Sequence, residues 1–360
     1  MKQVIQNNRT GTLSVAEVPT PSPQPGQVLV RNLSSLVSAG TERAGVDFAR
    51  KSLLGKAKSR PDLVRQVVSK VRREGLLRTW NNVKERLDGS QALGYSCAGE
   101  VIKVGEGVDD IAVGERVACA GSGYASHAEY VTVPRNLVAK IPGNVSYDDG
   151  VFATIGAIAL QGIRRAGLTS GESIGVIGLG LMGQITVAIL KAYGHPVFGT
   201  DISLERLQAA KELGLDSGGV TGSDDVEELA SAFSGGHGLD AAIITAATAD
   251  SRPVNLAGEI VREQGRVSVV GDVGLDVSRR TYYLKELDLR VSRSYGPGRY
   301  DPTFEEHGID YPRSYVRWTE QRNLEEILRL TGAGSIKPSA LITHRFAISD
   351  ASSAYQLIVE

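Results

Sequence analysis

Residues 173–183, SIGVIGLGLMG, decide how this chain folds. The first half is apolar and predicts a buried strand, and the second half carries the pattern Gly178-x-Gly180-x-x-Gly183. The sequence predicts a helix over 181–193, so the glycines close a strand and open a helix. Downstream strands and a helix are predicted in PVFGTD (196–201), LERLQAAKELG (204–214), DAAIITA (240–246), GRVSVVG (265–271) and LDLRVSRS (287–294). This alternation predicts an α/β fold with a doubly wound parallel sheet, covered by helices on both faces.

The three glycines fit a turn that binds a dinucleotide. Gly178 permits a tight turn, Gly180 lets the backbone approach a pyrophosphate, and Gly183 lets helix and strand pack closely. The first helical residues, Leu181 and Met182, lie where a helix offers unpaired N–H groups and a partial positive charge to phosphates. A glycine-rich turn without a cofactor is the alternative. The strand, the helix and an acidic residue further along the chain all argue against it.

That acidic residue is Asp201, which lies 18 residues beyond Gly183 at the end of the next predicted strand. A carboxylate there accepts hydrogen bonds from both adenosine ribose hydroxyls and repels a 2′-phosphate, which predicts NAD(H) over NADP(H). Arg206 argues against this preference, because arginines near this position can hold the 2′-phosphate of NADP(H). Because Arg206 lies one turn into the predicted helix, a contact with the ribose or the pyrophosphate explains it better. Further cofactor contacts are expected from Ile202, Ala246, Gly271 and Val273.

Composition narrows the classes of protein that the chain can represent. Its 360 residues suggest two domains, and 41% hydrophobic with 22% charged residues exclude a disordered or collagen-like protein. Cys97 and Cys119 are the only cysteines, which excludes a disulfide framework and a four-cysteine zinc lobe. The sequence has no apolar run long enough for a membrane helix, and MKQVIQNNRT lacks the apolar block of a signal peptide. We therefore expect a cytoplasmic protein with no membrane partner.

The remaining segments predict a β-rich domain that carries a basic insertion. Short apolar strands separated by Gly or Pro fill the first 45 residues and 98–142, followed by a bridging helix over 148–166. Between them, residues 46–90 have helical periodicity. Residues 50–86 contain twelve Lys and Arg against three acids, a net charge of +9, whereas the rest of the chain carries −10. This asymmetry indicates a local anionic partner, although a solvated helical hairpin explains it equally well.

Four stretches resemble the medium-chain dehydrogenase/reductase superfamily, which includes the zinc alcohol dehydrogenases. They are PGQVLVRN, LGYSCAGEVIKVGEGV, VGERVACAG and SIGVIGLGLMG. The resemblance implies a GroES-like β-barrel catalytic domain over 1–156, a Rossmann nucleotide-binding domain over 157–294 and a return to the catalytic domain over 295–360. Within the superfamily, SAGTE, RPDLVRQVV, KELDLRVSRSYGPGRYDP and YPRSYVRWTEQRN resemble the front half of two-domain oxidoreductases from bacterial polysaccharide gene neighbourhoods.

The chain departs from that superfamily at its zinc ligands. The resemblance aligns the three catalytic ligand positions with Ala39, Tyr95 and Ile155, none of which binds zinc. Neither cysteine has ligand spacing, and no two histidines lie at a metal-binding interval. We therefore expect a zinc-independent member with no metal site.

Without zinc, hydrogen-bonding groups must stabilise the alkoxide that forms as an alcohol is oxidised. Tyr95 occupies a ligand position, so its hydroxyl is the candidate that faces the substrate oxygen. A tyrosine that merely fills the vacated pocket is the alternative. Thr41 matches the superfamily's relay hydroxyl. Glu42 matches an acid behind the metal site and is a candidate general base, although a salt bridge within the barrel explains it better.

An aromatic segment is the candidate substrate surface. Six of the twelve tyrosines fall between 282 and 315. Aromatic faces with mixed donors suit a sugar, whose C–H faces stack while its hydroxyls form hydrogen bonds. A core or dimer-interface role is the alternative, since the resemblance implies a homodimer paired through the edge strand at 288–293. The candidate substrate residues are Arg299, Tyr300, Tyr311 and Trp318.

Together these features predict an NAD-dependent, zinc-independent oxidoreductase that interconverts a secondary alcohol and a ketone on a sugar, nucleotide sugar or cyclitol. The +9 insertion ends just before Tyr95, so we expect an anionic substrate. A double-bond reductase and a non-catalytic NAD-binding partner of another oxidoreductase domain are the alternatives, and no motif supports nucleic-acid binding. The resemblance also implies a further strand after AYQLI. We therefore expect a trimmed sequence or a natural protein that continues into a second oxidoreductase domain.

Overall fold

The computed structural model describes residues 1–40, 42–43 and 89–359. Thr41 and the predicted basic insertion, apart from Gly89 and Ser90, lie outside these residues. The chain forms two compact units. Unit 1 contains residues 1–115, 119–133 and 343–360, and unit 2 contains residues 116–118 and 134–342.

Unit 1 is built from short antiparallel strands, as the alternation of apolar residues with Gly and Pro predicts. Its strands are β1 (Lys2–Asn7), β2 (Leu13–Glu17), β3 (Gln27–Ser35), β4 (Ser90–Ala92) and β5 (Ser96–Val104), together with the last two residues of β6 (Arg116–Ala120) and all but the last residue of β7 (Tyr130–Pro134). β1 pairs with β2 and β4, and β3 pairs with β5 in a register that runs from Val28 opposite Val104 to Ser35 opposite Cys97. β3 is buried at its start and alternates toward its end, so Ser35 is exposed.

Unit 2 contains the predicted parallel sheet. After the short β8 (Val138–Lys140), six strands form it: β9 (Ile174–Ile177), β10 (Val197–Asp201), β11 (Ser217–Val220), β12 (Leu239–Ile244), β13 (Val261–Val269) and β14 (Asp288–Val291). Their order is β11-β10-β9-β12-β13-β14, and every pairing is parallel. The order reverses beside β9, so the carboxyl ends of β9 and β12 form the switch point where such sheets bind ligands.

Unit 2 contains the following helices, several of which begin at a capping side chain. They are α1 (Tyr147–Gly150), α2 (Ala153–Ala166), α3 (Leu181–Ala192), α4 (Leu204–Glu212), α5 (Val226–Phe233), α6 (Arg252–Ile260), α7 (Arg279–Leu284), α8 (Pro302–Glu305) and α9 (Glu320–Gly332). The Ser203 side chain caps α4, Asp225 caps α5 and Thr319 caps α9. The bridging helix predicted over 148–166 is divided into α1 and α2.

The last described helix, α10 (Ala351–Val359), belongs to unit 1. Its Tyr355 is buried in a small core with Val4 and Ala351, against which Leu13 and Val15 pack. Across the described residues, no helix has the length and apolar character needed to cross a membrane.

Candidate functional site

The glycine turn between β9 and α3 has the geometry that a pyrophosphate needs. Gly178 has a positive φ of 94°, and a Cβ there would lie 2.7 Å from the Ala246 nitrogen. A Cβ on Gly183 would lie 1.9 Å from the Gly178 oxygen, so only glycine lets α3 pack this close to β9. Around Gly180, by contrast, there is open space, and no side chain caps α3 at this residue. The amide groups at the start of α3, at Leu181 and Met182, therefore remain available to an anion.

The ends of β12 and β13 complete this cradle. A Cβ on Gly271 would lie 1.9 Å from the Ala246 oxygen, so the two segments touch through their backbones. Thr245 Oγ1 donates a hydrogen bond of 2.5 Å to the Gly178 oxygen and fixes the glycine turn to β12. Val273 packs on the edge of the apolar core behind them. The sequence prediction missed Thr245, although its place at the end of an apolar strand is a usable signal.

Asp201 lies at the end of β10 with its carboxylate held toward the glycine turn. Oδ2 accepts a hydrogen bond of 2.6 Å from the Leu179 amide, and Oδ1 accepts one of 2.9 Å from the Ser203 amide. Each carboxylate oxygen keeps a lone pair for a further donor. Arg206 Nη1 is 3.7 Å from Oδ1 on a largely exposed side chain, and Ile202 is exposed beside it. This arrangement suits a ligand with two adjacent hydroxyls.

A buried polar cluster occupies unit 1. Glu42, His127 and Tyr355 are 8%, 4% and 1% exposed. The Tyr355 hydroxyl donates to Glu42 Oε2, and His127 Nε2 lies 3.3 Å and 3.4 Å from the two Glu42 oxygens. On its other side, His127 Nδ1 is 2.8 Å from Ser35 Oγ. Burial, and then the Glu42 charge, raise the pKa of Tyr355 far above its usual range.

Tyr95 follows a glycine that lies against this cluster. Gly94 has a φ of 95°, and a Cβ there would lie 2.9 Å from the His127 ring atoms Cγ and Cε1. The backbone thus crosses the imidazole closely at Gly94, directly before Tyr95. The Tyr95 hydroxyl is buried and acts electrostatically on Tyr355. The structure therefore places the predicted Glu42 with His127 and Tyr355, which the sequence did not indicate, and Gly94, the residue before the predicted Tyr95, lies against the His127 ring.

The predicted substrate residues lie in unit 2, where most of them are already engaged. Arg299 forms a 2.6 Å ion pair with Glu305 and lies 4.0 Å over the Tyr300 ring. Tyr311 donates a 2.5 Å hydrogen bond to Asp301 Oδ2. The Trp318 ring has one guanidinium at 3.4 Å, from Arg164, and another at 3.8 Å, from Arg317. Tyr300, in contrast, is 58% exposed and has a positive φ of 67°.

Comparison with known proteins agrees with this architecture. The family model described as the alcohol dehydrogenase GroES-like domain matches residues 64–143, and the model described as zinc-binding dehydrogenase matches residues 182–307. The chain belongs to the medium-chain dehydrogenase/reductase superfamily. The predicted fold class, a GroES-like domain with a doubly wound nucleotide-binding domain, is confirmed.

Individual relatives in this superfamily are distant. The chain is 32% identical to an (R,R)-butanediol dehydrogenase from Bacillus subtilis (strain 168) over 40% of this chain and 49% of that protein. This match spans about half of the relative's length. A sorbitol dehydrogenase from the same organism is 26% identical over 65% of this chain and 74% of its own. A short chain alcohol dehydrogenase from Escherichia coli CFT073, solved with NADH, superposes with a TM-score of 0.71 at 21% identity, covering 99% and 95% of the chains.

The donor set of the described residues does not fit the zinc ion that the description of the second family model, zinc-binding dehydrogenase, suggests. They contain no group of three or more His, Cys, Asp or Glu side chains arranged to hold a metal. Both Glu42 oxygens already face His127, and one of them accepts the Tyr355 hydroxyl. Cys97 is buried in β5, and its hydrogen bond with Cys119 raises its pKa well above the usual range. A thiol held in its neutral form is a poor zinc ligand.

Proposed function

We propose that this protein is an NAD-dependent, zinc-independent oxidoreductase that interconverts a secondary alcohol and a ketone on a sugar, nucleotide sugar or cyclitol. The observation that carries the proposal is the cradle formed by Gly178, Gly180 and Gly183 together with the oriented carboxylate of Asp201. The relatives named above are dehydrogenases of butanediol and sorbitol, which supports oxidation of a secondary alcohol.

The cofactor would be held by backbone and carboxylate groups that the structure already orients. A nicotinamide dinucleotide, when bound, supplies the carbon that accepts a hydride from the alcohol. The open approach at Gly180 and the amides at the start of α3 suit the pyrophosphate. Asp201 suits the two ribose hydroxyls, and its negative charge opposes a 2′-phosphate. These contacts support NAD(H) as the cofactor.

Tyr95 is the proposed group that donates a hydrogen bond to the substrate oxygen. A buried phenol stabilises a developing alkoxide by hydrogen bonding, the role that zinc has in other members. Among the described residues, the ion pair that Glu42 can form is with His127, at 3.3 Å, rather than with an Arg or Lys. Its partners are His127 and Tyr355. We therefore assign Glu42 to the acid–base network of the site. Thr41, the proposed relay hydroxyl, lies outside the described residues.

The substrate class, the homodimer and a second oxidoreductase domain are also proposed. The +9 charge of residues 50–86 supports an anionic sugar as substrate. β14 lies at the edge of its sheet with Leu289 and Val291 exposed, which supports a homodimer formed through this strand. A fused or associated second oxidoreductase domain is proposed on the resemblance alone.

The test is turnover of a panel of alcohols by the purified, metal-analysed protein. NAD⁺ or NADP⁺ is offered with sorbitol, 2,3-butanediol, sugar phosphates, uronates and nucleotide sugars, and reduced cofactor is followed by absorbance. We expect oxidation of one of the anionic sugars with NAD⁺ and less than stoichiometric zinc. Reduction of enones without alcohol oxidation would identify a double-bond reductase. Tight NADH binding without any turnover would identify a non-catalytic partner.

A further inference from the structure

Two guanidinium groups lie over one exposed tyrosine ring in unit 2. Arg299 Cζ is 4.0 Å and Arg293 Cζ is 4.6 Å from the centre of the Tyr300 ring, and Tyr300 is 58% exposed. Arg293 is exposed as well, and its Nη2 donates a hydrogen bond of 2.9 Å to the Arg299 carbonyl. The ring and the carbonyl therefore hold the Arg293 guanidinium in a defined position at the surface.

The two arginines differ in what their N–H edges contact. A guanidinium stacked on an aromatic ring uses its face, so the N–H donors at its edge can still bind a carboxylate or a phosphate in the same plane. Arg299 shows this arrangement inside the protein, because its Nη1 donates to Glu305 Oε1 at 2.6 Å and both side chains are almost buried. Arg293 has the same kind of stack, but no ion pair in the described part of the chain involves it.

Acidic side chains close to this segment in the sequence have other partners. Asp288 Oδ2 accepts a hydrogen bond of 2.6 Å from Arg290, and Asp301 Oδ2 accepts one of 2.5 Å from the Tyr311 hydroxyl. An anion that binds Arg293 therefore does not have to displace a carboxylate of the protein.

The backbone that carries the stack has an unusual conformation. Ser294 and Tyr300 have positive φ values of 49° and 67°, a region that residues with a side chain seldom occupy. Such positions persist where the surrounding structure enforces them, and they are frequent at ligand sites. Here the buried ion pair of Arg299 with Glu305 anchors the end of the loop. The loop is thus ordered before a ligand binds, which lowers the entropic cost of binding.

The stack lies at the edge of the sheet where ligands bind in this fold. β14 is parallel to β13, and the Ser292 amide continues the pairing with a 2.8 Å hydrogen bond to the Val269 carbonyl. The segment from Arg293 onward therefore leaves the sheet at the carboxyl edge, which also carries the glycine turn. Three strand spacings of about 4.8 Å separate β14 from β9, so this segment begins about 14 Å from that turn. Asp201, at the end of β10, lies on the opposite side of β9, so a phosphate on the adenosine ribose would not reach Arg293.

We propose that Arg293, held on Tyr300, is a subsite that binds the phosphate or carboxylate group of an anionic sugar. The proposal rests on the proposed function for one point, that this sugar is the substrate whose alcohol is oxidised. Both anions present two oxygens to the edge of a guanidinium, which binds them through parallel hydrogen bonds. Arg299, predicted to contact the substrate, is instead a positioning residue, because it supports the Tyr300 ring and its carbonyl accepts from Arg293.

Binding is measured first without turnover, by isothermal titration of the purified protein with glucose 6-phosphate, glucuronate and glucose. The three probes share one ring and carry a phosphate, a carboxylate or a hydroxyl at carbon 6, so they also distinguish the two kinds of anion. We expect at least one anion to bind wild type about tenfold more tightly than glucose or better, because hydrogen bonds between charged groups are the strong ones. Arg293→Gln should lose this advantage. Arg293→Lys keeps the charge without the planar edge and should lie between the two.

Arg279→Gln is the matched control. Arg279 is an exposed arginine of unit 2 that also stacks on an exposed tyrosine, with its Cζ 4.8 Å from the Tyr283 ring centre, but it lies in α7, before β14. This variant should bind all three probes like wild type. Tyr300→Ala removes the ring on which Arg293 is held and should weaken binding of the anion, whereas Tyr300→Phe keeps the ring and should bind it more tightly than Tyr300→Ala does. Thermal melts check that each variant is folded.

Three results would contradict the subsite. They are wild type that binds glucose as tightly as both anions, anion binding that Arg293→Gln leaves unchanged, and an equal loss of anion binding in Arg279→Gln. With an anionic substrate from the turnover panel, Arg293→Gln should raise KM about tenfold or more and change kcat by less than about twofold, since it removes binding that is equal in the ground state and the transition state.

Failure of the subsite is distinguishable from failure of the proposed function. Wild type that binds an anion through Arg293 but forms no reduced cofactor from any alcohol contradicts the function and leaves the subsite in place. Wild type that oxidises sorbitol with NAD⁺ as efficiently as every anionic sugar supports the function and contradicts the subsite.

Discussion

At the scale of single residues, Asp201 should set the cofactor preference. We expect NADH to bind more tightly than NADPH by about tenfold or more, because a charge-to-charge contact with a 2′-phosphate costs more than about 1.4 kcal/mol. Asp201→Gly should narrow or invert this preference, as measured by titration with both cofactors.

Asp201→Asn is the control for the second role of this carboxylate, which is to hold the glycine turn. The amide oxygen can still accept from the Leu179 amide, which holds the glycine turn in wild type at 2.6 Å. Asp201→Asn gives up the hydrogen bond that Oδ1 accepts from the Ser203 amide but keeps the one to the glycine turn. It should therefore relax the discrimination with a smaller loss of NADH affinity than Asp201→Gly, which loses both bonds. Equal affinities of the wild-type protein for NADH and NADPH would contradict the assignment.

Glu320 should control the pH dependence of stability. Its side chain is fully buried at the start of α9, and this burial, with the Glu305 charge, raises its pKa to about 9. An unfolded glutamate has a pKa of about 4.3, so between about pH 4.3 and 9 the folded state binds the extra proton. Stability must then fall as pH rises through that window, by up to about 1.4 kcal/mol per pH unit.

Glu320→Gln removes this titration and keeps the shape of the side chain. We expect a higher melting temperature at pH 8 than in wild type and a flatter profile of stability from about pH 5 to 9. Glu306→Gln, an exposed glutamate of the same region, is the matched control and should leave the profile unchanged. Calorimetry across this pH range measures the profile. If stability falls as steeply with pH in Glu320→Gln as in wild type, the prediction is contradicted.

From the sequence alone, roles could be assigned to those residues that act through near neighbours in the chain. The glycines of 178–183 could be assigned because turn, helix start and close packing all depend on neighbours within a few positions. His127 and Tyr355 lie 85 and 313 residues from Glu42, and the sequence carries no pattern that joins them. For Glu42 the sequence accordingly favours a salt bridge within the barrel, and the partners that the structure describes for it are His127, 3.3 Å away, and Tyr355.

At the scale of elements, the glycines between β9 and α3 have two different roles, one in folding and one in cofactor binding. A Cβ on Gly183 would lie 1.9 Å from the Gly178 oxygen, whereas a Cβ on Gly180 would meet no atom within 4 Å. Gly183→Ala should therefore lower stability by about 1–3 kcal/mol, because backbone must move to relieve the contact. Gly180→Val should melt like wild type but lose NADH affinity, since its branched side chain occupies the pyrophosphate approach.

Thermal melts and NADH titrations of both variants check this pair. Gly180→Ala, which adds a single methyl group, is the intermediate control and should weaken NADH binding less than valine does. Tight NADH binding by Gly180→Val would contradict a pyrophosphate at this turn, whatever the effect of Gly183→Ala on stability.

Elements were predictable where periodicity was strong. The alternating strands and helices from 173 onward, and the end of α4 near Gly214, which has a φ of 96°, follow directly from apolar spacing and glycine placement. The division of the bridging helix into α1 and α2 had no such signal, because neither Val151 nor Phe152 is a helix breaker. The partners of the predicted substrate residues, such as Glu305 for Arg299, depend on packing that no local pattern encodes.

At the scale of the whole molecule, the uneven distribution of charge favours an anionic substrate over a neutral one. The chain carries −1 in total, but +9 within residues 50–86. That segment lies outside the described residues. In the sequence it ends shortly before Gly94 and Tyr95, so covalent continuity keeps its end near them. Clustered Arg and Lys raise the local concentration of anions and speed their capture. The alternative is a basic face that only solvates helices or docks on an acidic domain.

Salt and charge reversal separate the two explanations. With an anionic sugar as substrate, kcat/KM should fall as ionic strength rises, because screening shortens to about 8 Å near physiological salt. Reversal of charge at Arg72, Arg73 and Arg78 should raise KM more than it lowers kcat, since these side chains would capture the substrate rather than take part in hydride transfer. The same reversal at Arg252, Arg279 and Arg280 in unit 2 is the matched control for net charge. If neutral polyols turn over as well as anionic sugars and salt has no effect, the basic segment does not belong to the substrate site.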